Sequence, residues 1–215
     1  MPNLKNRKNP ASGNHKTNEN PESTLKAWRF VEDRERFKTP VFKVMDRRTV
    51  SPKDGREKDF SVLAAPDWVN VLALTPENEV VLVRQYRHGS KDFSLELPGG
   101  VSEEGDGPEK TALRELMEET GYGVLKLERL LTLNPNPALF SNNVITFLGT
   151  GAEKKGAVSF DENEETELVL VSVPRLRELY LEGRFTHALM SAPIGYFLLK
   201  RSIGMANPIA GVPSA

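Results

Sequence analysis

Residues 98–122 read PGGVSEEGDGPEKTALRELMEETGY, and the second half of that stretch carries the marks of a helix. Gly107 and Pro108 suit an N-cap and a first turn, Ala112, Leu113, Leu116 and Met117 supply an apolar side, and Gly121 suits the stop. Glu115, Glu118 and Glu119 are then expected together on the opposite side, within one turn of one another. Each like-charged pair at that spacing opposes a helix by roughly 0.2–0.5 kcal/mol. The negative end of the helix dipole adds roughly 0.3–1 kcal/mol against each anion. A hard divalent cation, Mg²⁺ or Mn²⁺, would neutralise such a face through oxygen ligands. Alternatively the face is simply solvated, with Arg114 pairing to Glu118 at i, i+4.

The upstream glycines extend the pattern. Gly100 is followed after five residues by Asp106, and after seven more by the run from Arg114 to Tyr122, RELMEETGY. This resembles the Nudix box, G-x5-E-x7-R-E-U-x-E-E-x-G-U, with Asp106 in place of the family's Glu and Tyr122 in place of a bulky aliphatic residue. Asp106 is one methylene shorter than Glu, which bears on any salt bridge or outer contact made from that position.

The resemblance implies an α/β fold, the Nudix-type α/β/α sandwich with a mixed sheet, and hydrolysis of a nucleoside diphosphate linked to another group. It implies Glu115 and Glu119 as principal metal ligands, Glu118 as a further ligand with a part in catalysis, and the carbonyl of Gly99 completing the set around Mg²⁺ or Mn²⁺. Arg114 is expected to orient the helix carboxylates. In the branch that cleaves ADP-ribose the general base comes from an acidic loop, here Asp161-Glu162-Asn163-Glu164-Glu165, with Glu162 first and Glu164 second as candidates. Arg87 corresponds to the family arginine that reaches the diphosphate through its forked donors. Glu96 is a candidate contact to a ribose hydroxyl, and Trp68 a candidate for stacking on a base or sugar, although an aromatic residue at a strand start commonly packs in the core.

Composition narrows the remaining possibilities. The 215 residues, 38% hydrophobic and 27% charged, suit one globular domain with an appended sub-domain. A net charge of −1 argues against general nucleic-acid binding, despite a basic N-terminal arm with Lys5, Arg7, Lys8 and Lys16. The absence of cysteine excludes disulfides and thiolate metal sites. His15, His88 and His187 have no paired metal-ligand spacing and read as surface or capping residues. No apolar run approaches a membrane span and none resembles a signal peptide, so a cytoplasmic protein without membrane contact is expected.

Along the chain, residues 1–26 are polar and expected to be disordered. Residues 27–66 alternate around the turn signal SPKDG, which predicts an antiparallel pair of strands ahead of the core. Residues 67–204 form the expected hydrolase domain, and residues 205–215 a loose tail. Within the hydrolase domain, WVNVLAL and VVLVR read as strands about a Pro76-Glu77-Asn78 turn. Strands are also expected over residues 124–133, 144–148 and 168–173, the first two separated by the loop Asn134-Pro135-Asn136-Pro137-Ala138. A short helix should run from Pro174 to Gly183, and another, capped by Thr186, to about Ile203, kinked or split by Pro193.

The strands before the core, QYR, LELPGG and the Asn-Pro loop resemble ADP-ribose and nucleotide-sugar pyrophosphatases, in which the extra strands help to form a homodimer. The expected reaction is cleavage of ADP-ribose or another nucleoside diphosphate sugar into a nucleoside monophosphate and a sugar phosphate. Two alternatives remain at this level: a nucleoside triphosphate pyrophosphohydrolase, and a Nudix domain that binds nucleotide sugars without catalysis.

Overall fold

The computed structural model describes residues 24–102, 105–158 and 166–204. In chain order the elements are strands β1 (Arg29–Lys38), β2 (Lys43–Val50), β3 (Glu57–Ala64), β4 (Trp68–Leu74), β5 (Glu79–Arg87), β6 (Asp92–Glu96) and β7 (Gly99–Val101), then helix α1 (Pro108–Thr120). There follow β8 (Tyr122–Gly123), β9 (Lys126–Leu133), β10 (Val144–Thr150), β11 (Glu153–Lys154) and β12 (Thr166–Ser172), then helices α2 (Val173–Leu181) and α3 (Ala188–Ser202).

The main sheet runs β12-β5-β4-β10-β9, with β6 added to β5 and β7 to β4. Only β4 and β10 pair in parallel; every other pairing is antiparallel, so the sheet is mixed. Its two faces follow from the period of two along β4. Val69, Val71 and Ala73 point to a core that contains Ala112 and Leu116 of α1, whereas Leu72 and Leu74 point to one built with Leu176 of α2 and Ile194 and Phe197 of α3. One helix covers one face and two cover the other, which is the expected α/β/α layering.

The first three strands form a separate antiparallel sheet of order β1-β2-β3. The strand β1, fully exposed along its length, adds to the expected pair, because Arg29–Lys38 is laced to β2 by ion pairs such as Asp33–Arg47 at 2.8 Å rather than by an apolar alternation. This sheet touches the core through the Asn-Pro loop. The amide of Leu63 donates to the carbonyl of Leu139 at 2.8 Å, and the amide of Ser141 donates back to that of Leu63 at 3.0 Å.

Helix α1 begins and ends as its sequence predicts. Gly107 is the N-cap, Pro108 the first helical residue, and Gly121 closes the helix in the left-handed conformation (φ 73°), its amide donating to Met117 at 2.8 Å. No side chain other than glycine fits at Gly121, since a Cβ there would lie 2.4 Å from the carbonyl oxygen of Gly156.

One detail of the helices differs from expectation. The cap of α3 is His187, whose Nδ1 accepts from the amide of Leu189 at 3.2 Å, not Thr186 one residue earlier. Pro193 lies inside α3 without splitting it. Pro193 is buried, and the packing of α3 against the sheet offsets the lost backbone hydrogen bond.

Candidate active site

A cleft of about 1380 Å³ opens between the α1 side of the sheet and the start of α3. It gathers Trp68 and Asn70 from β4, Arg87 from β5, Glu96 from β6, Gly99 and Gly100 from β7, Glu115, Glu118 and Glu119 from α1, and the segment Thr186–Met190. The residues singled out in the sequence and lying among those described therefore share one cavity. Glu162 and Glu164 lie outside the described residues.

The acidic face of α1 is arranged differently from a simple helical-wheel reading. Leu113 is exposed, while Glu119 is buried beside Ala112, Leu116 and Thr120 on the inward side. Seven residues from Ala112 is close to two full turns, so Glu119 belongs to the apolar stripe by position. Its Oε2 accepts from the amide of Gly99 at 2.8 Å, which satisfies a buried carboxylate with a backbone donor. Glu115 is half-buried and lies against Gly100, where a Cβ would come within 2.6 Å of its Oε1. A Cβ on Gly99 would in turn meet the carbonyl oxygen of Val69 at 2.1 Å. Both glycines are thus dictated by close approach.

Arg114 bonds to Glu115 Oε1 at 2.9 Å and to Glu118 Oε2 at 2.7 Å. The i, i+4 pairing offered by the sequence is therefore present, and Arg114 holds both Glu115 and Glu118. With Glu119 turned to Gly99, no three acidic or histidine side chains converge as a ready ligand cage among the described residues. The donors nevertheless fit a hard cation: carboxylate oxygens and a backbone carbonyl, gathered over two glycines that leave no side chain in the way. Glu115, Glu118, Glu119 and Gly99 are the residues that would hold it. Asp106, at the position that departs from the box, pairs with Lys110 at 2.6 Å.

Arg87 and Glu96 find each other across the β5–β6 hairpin. Arg87 Nε donates to Oε1 at 2.8 Å and Nη2 to Oε2 at 2.6 Å, a two-pronged pair. Glu96 is 0% exposed. Burial, the largest influence, pushes its pKa up, but the hydrogen bonds and charge of Arg87, with a smaller contribution from His187, outweigh it and hold the carboxyl below the ordinary carboxylate range.

Trp68 is half-buried at the start of β4 and packs edge-on against Phe140 of the Asn-Pro loop, ring centres 5.8 Å apart. Neither the contact of Phe140 with Trp68 nor the place of the α3 segment in the cleft was legible, because no local pattern links segments so far apart in sequence. Asn70, also unassigned, had a visible signal: it is the single polar residue in WVNVLAL.

The family model of the NUDIX domain matches residues 65–191. The methanol dehydrogenase activator of Bacillus methanolicus is 30% identical over 151 residues, 70% of this chain and 82% of that protein. The ADP-ribose pyrophosphatase of Bacillus subtilis (strain 168) is 31% identical over 154 residues, with the same shares, 70% and 82%. Among solved structures, the crystal structure of an ADP compounds hydrolase superposes with a TM-score of 0.72 at 19% identity, covering 86% of this chain and 100% of the other, a likeness of fold.

Proposed function

This chain belongs to the Nudix hydrolase family, and from that premise we propose that it cleaves the diphosphate bond of ADP-ribose or another nucleoside diphosphate sugar, releasing a nucleoside monophosphate and a sugar phosphate. The observation that carries the proposal is the meeting, in one cleft, of the α1 carboxylates with the Arg87–Glu96 pair. One group of residues suits a cation and the other holds a guanidinium in a fixed orientation, the two needs of a dianionic diphosphate. The Bacillus subtilis relative, an ADP-ribose pyrophosphatase by name, supports the substrate class.

Bound Mg²⁺ or Mn²⁺ would offset charge on the diphosphate and lower the pKa of a water. Arg114 steers Glu115 and Glu118, the Gly99 amide anchors Glu119, and Arg87 holds the diphosphate in register at the far wall. Glu162, or Glu164 after it, takes the proton from the attacking water.

We also propose a homodimer formed through the β1–β3 sheet, supported by the exposure of Trp28, Phe30 and Phe60 there. Light scattering of the purified chain tests it, and a monomer at micromolar concentration would refute it.

A product-resolved screen of nucleoside diphosphate derivatives with Mg²⁺ and Mn²⁺ tests the activity. Adenosine monophosphate and ribose 5-phosphate from ADP-ribose are expected. Inorganic pyrophosphate from nucleoside triphosphates, with nucleotide sugars untouched, would assign the triphosphate chemistry instead. Binding of ADP-ribose without cleavage would assign a non-catalytic domain.

A further inference from the structure

Asn70 interrupts an otherwise apolar, buried strand. Its neighbours Val69 and Val71 are core residues, yet Asn70 itself is 2% exposed and lines the cleft. Its Oδ1 is buried and has no hydrogen-bond partner among the described residues. An amide oxygen in that position is costly, and native cores rarely keep one without a reason. In register, Asn70 stands opposite Gly99 on β7 and Thr146 on β10. A Cβ on Gly99 would lie 2.7 Å from Cα of Asn70, so the missing side chain at residue 99 is what lets the two backbones close. The amide therefore sits beside the backbone unit whose N–H anchors Glu119.

Chemistry limits what such an oxygen can meet. It accepts hydrogen bonds and donates none. The bridging and terminal oxygens of an ionised diphosphate are themselves acceptors, so the diphosphate is not its partner. An O–H group is, and since Asn70 alternates with Val69 and Val71 and so faces the α3 side of the sheet with Leu72 and Leu74, away from the α1 carboxylates, that O–H is a hydroxyl of the substrate's sugar.

We infer that Asn70 is a ligand-reading residue of this cleft, its Oδ1 accepting a hydrogen bond from a hydroxyl of the substrate's sugar. The role rests on the nucleotide-sugar reading of the cleft. It goes beyond the box, since no box residue lies on β4.

The test uses the full chain with Asn70→Leu, close in shape to the amide, and Asn70→Val, smaller and suited to a strand should Leu overpack. Melting temperature is measured without ligand, Mn²⁺ binding without nucleotide, and ADP-ribose binding without cation, the last two by calorimetry. At least one variant should melt within about 2 °C of the parent, because no protein hydrogen bond is lost. The same variant should lose about tenfold in affinity for ADP-ribose, the worth of one hydrogen bond, and bind Mn²⁺ as the parent does.

The inference is overturned if both variants melt well below the parent, which would make the amide structural, or if a stable variant binds ADP-ribose as the parent does. Failure of the parent chain itself to bind or cleave ADP-ribose would instead sink the proposed activity and, with it, the sugar as donor.

Discussion

The guanidinium of Arg87 and the carboxylate of Glu96 are locked in a two-pronged pair in which the acid is fully buried and the arginine side chain remains 43% exposed toward the cleft. The pair is therefore a mounting: the buried partner fixes the orientation of the accessible one. Glu96→Gln keeps the shape but loses the charge and one acceptor. It should lower kcat/KM for the diphosphate substrate on the order of 10-fold to 100-fold, mainly through KM, and cost about 1–3 kcal/mol of stability by urea titration, less than for a wholly buried pair because Arg87 keeps contact with water.

The same pair makes stability depend on pH in the acid range. Glu96 has a folded pKa below its ordinary value of 4.5, so the unfolded chain binds the proton more readily. Its contribution is complete above that ordinary value and disappears as pH falls through the lower, folded one. Urea midpoints measured from pH 6 down to pH 3 should fall for the parent chain more steeply than for Glu96→Gln.

Gly100→Ala tests the cation site without touching a ligand. The new Cβ would sit 2.6 Å from the Glu115 carboxylate and force it aside. Activity should fall at least about tenfold and Mn²⁺ affinity with it. Glu115→Gln should lower kcat by about two orders of magnitude or more with a nearly unchanged melting temperature, since the like-charge contact removed on α1 offsets the lost ion pair with Arg114. A lowered melting temperature with activity retained would contradict the assignment.

Phe140 buttresses Trp68 from the Asn-Pro loop, and the loop is itself stitched to β3. Phe140→Ala should raise KM for nucleotide sugars by about 3-fold to 10-fold with little change in kcat, and should alter tryptophan emission. Phe140→Tyr, which keeps the edge-on contact, should restore both.

Glu162→Gln should slow turnover by about 10² while leaving substrate binding intact, as expected for a general base. If Glu164→Gln produces that signature and Glu162→Gln does not, the base lies two residues further along the loop. Product-release assays under saturating substrate decide between them.

What a single stretch of chain can encode was readable from the chain. The α1 boundaries at Pro108 and Gly121, the strand character of β4 and the carboxylate grouping on α1 depend on neighbours within a turn or a pleat, so local chemistry specifies them. Long-range relations were not readable. The inward turn of Glu119 depends on the Gly99 amide, twenty residues away, and the bond between Arg87 and Glu96 depends on the hairpin that places them side by side. The cap at His187 and the intact α3 around Pro193 depend on how that helix packs against the sheet. Asn70 stood out as a polar residue in an apolar strand, but the want of a partner for its oxygen exists only once β7 and β10 close around it. Spacing along the chain determines which groups are available, and only the packed sheet decides which of them meet, because hydrogen bonds and charges act over a few ångströms of space whatever the distance in sequence.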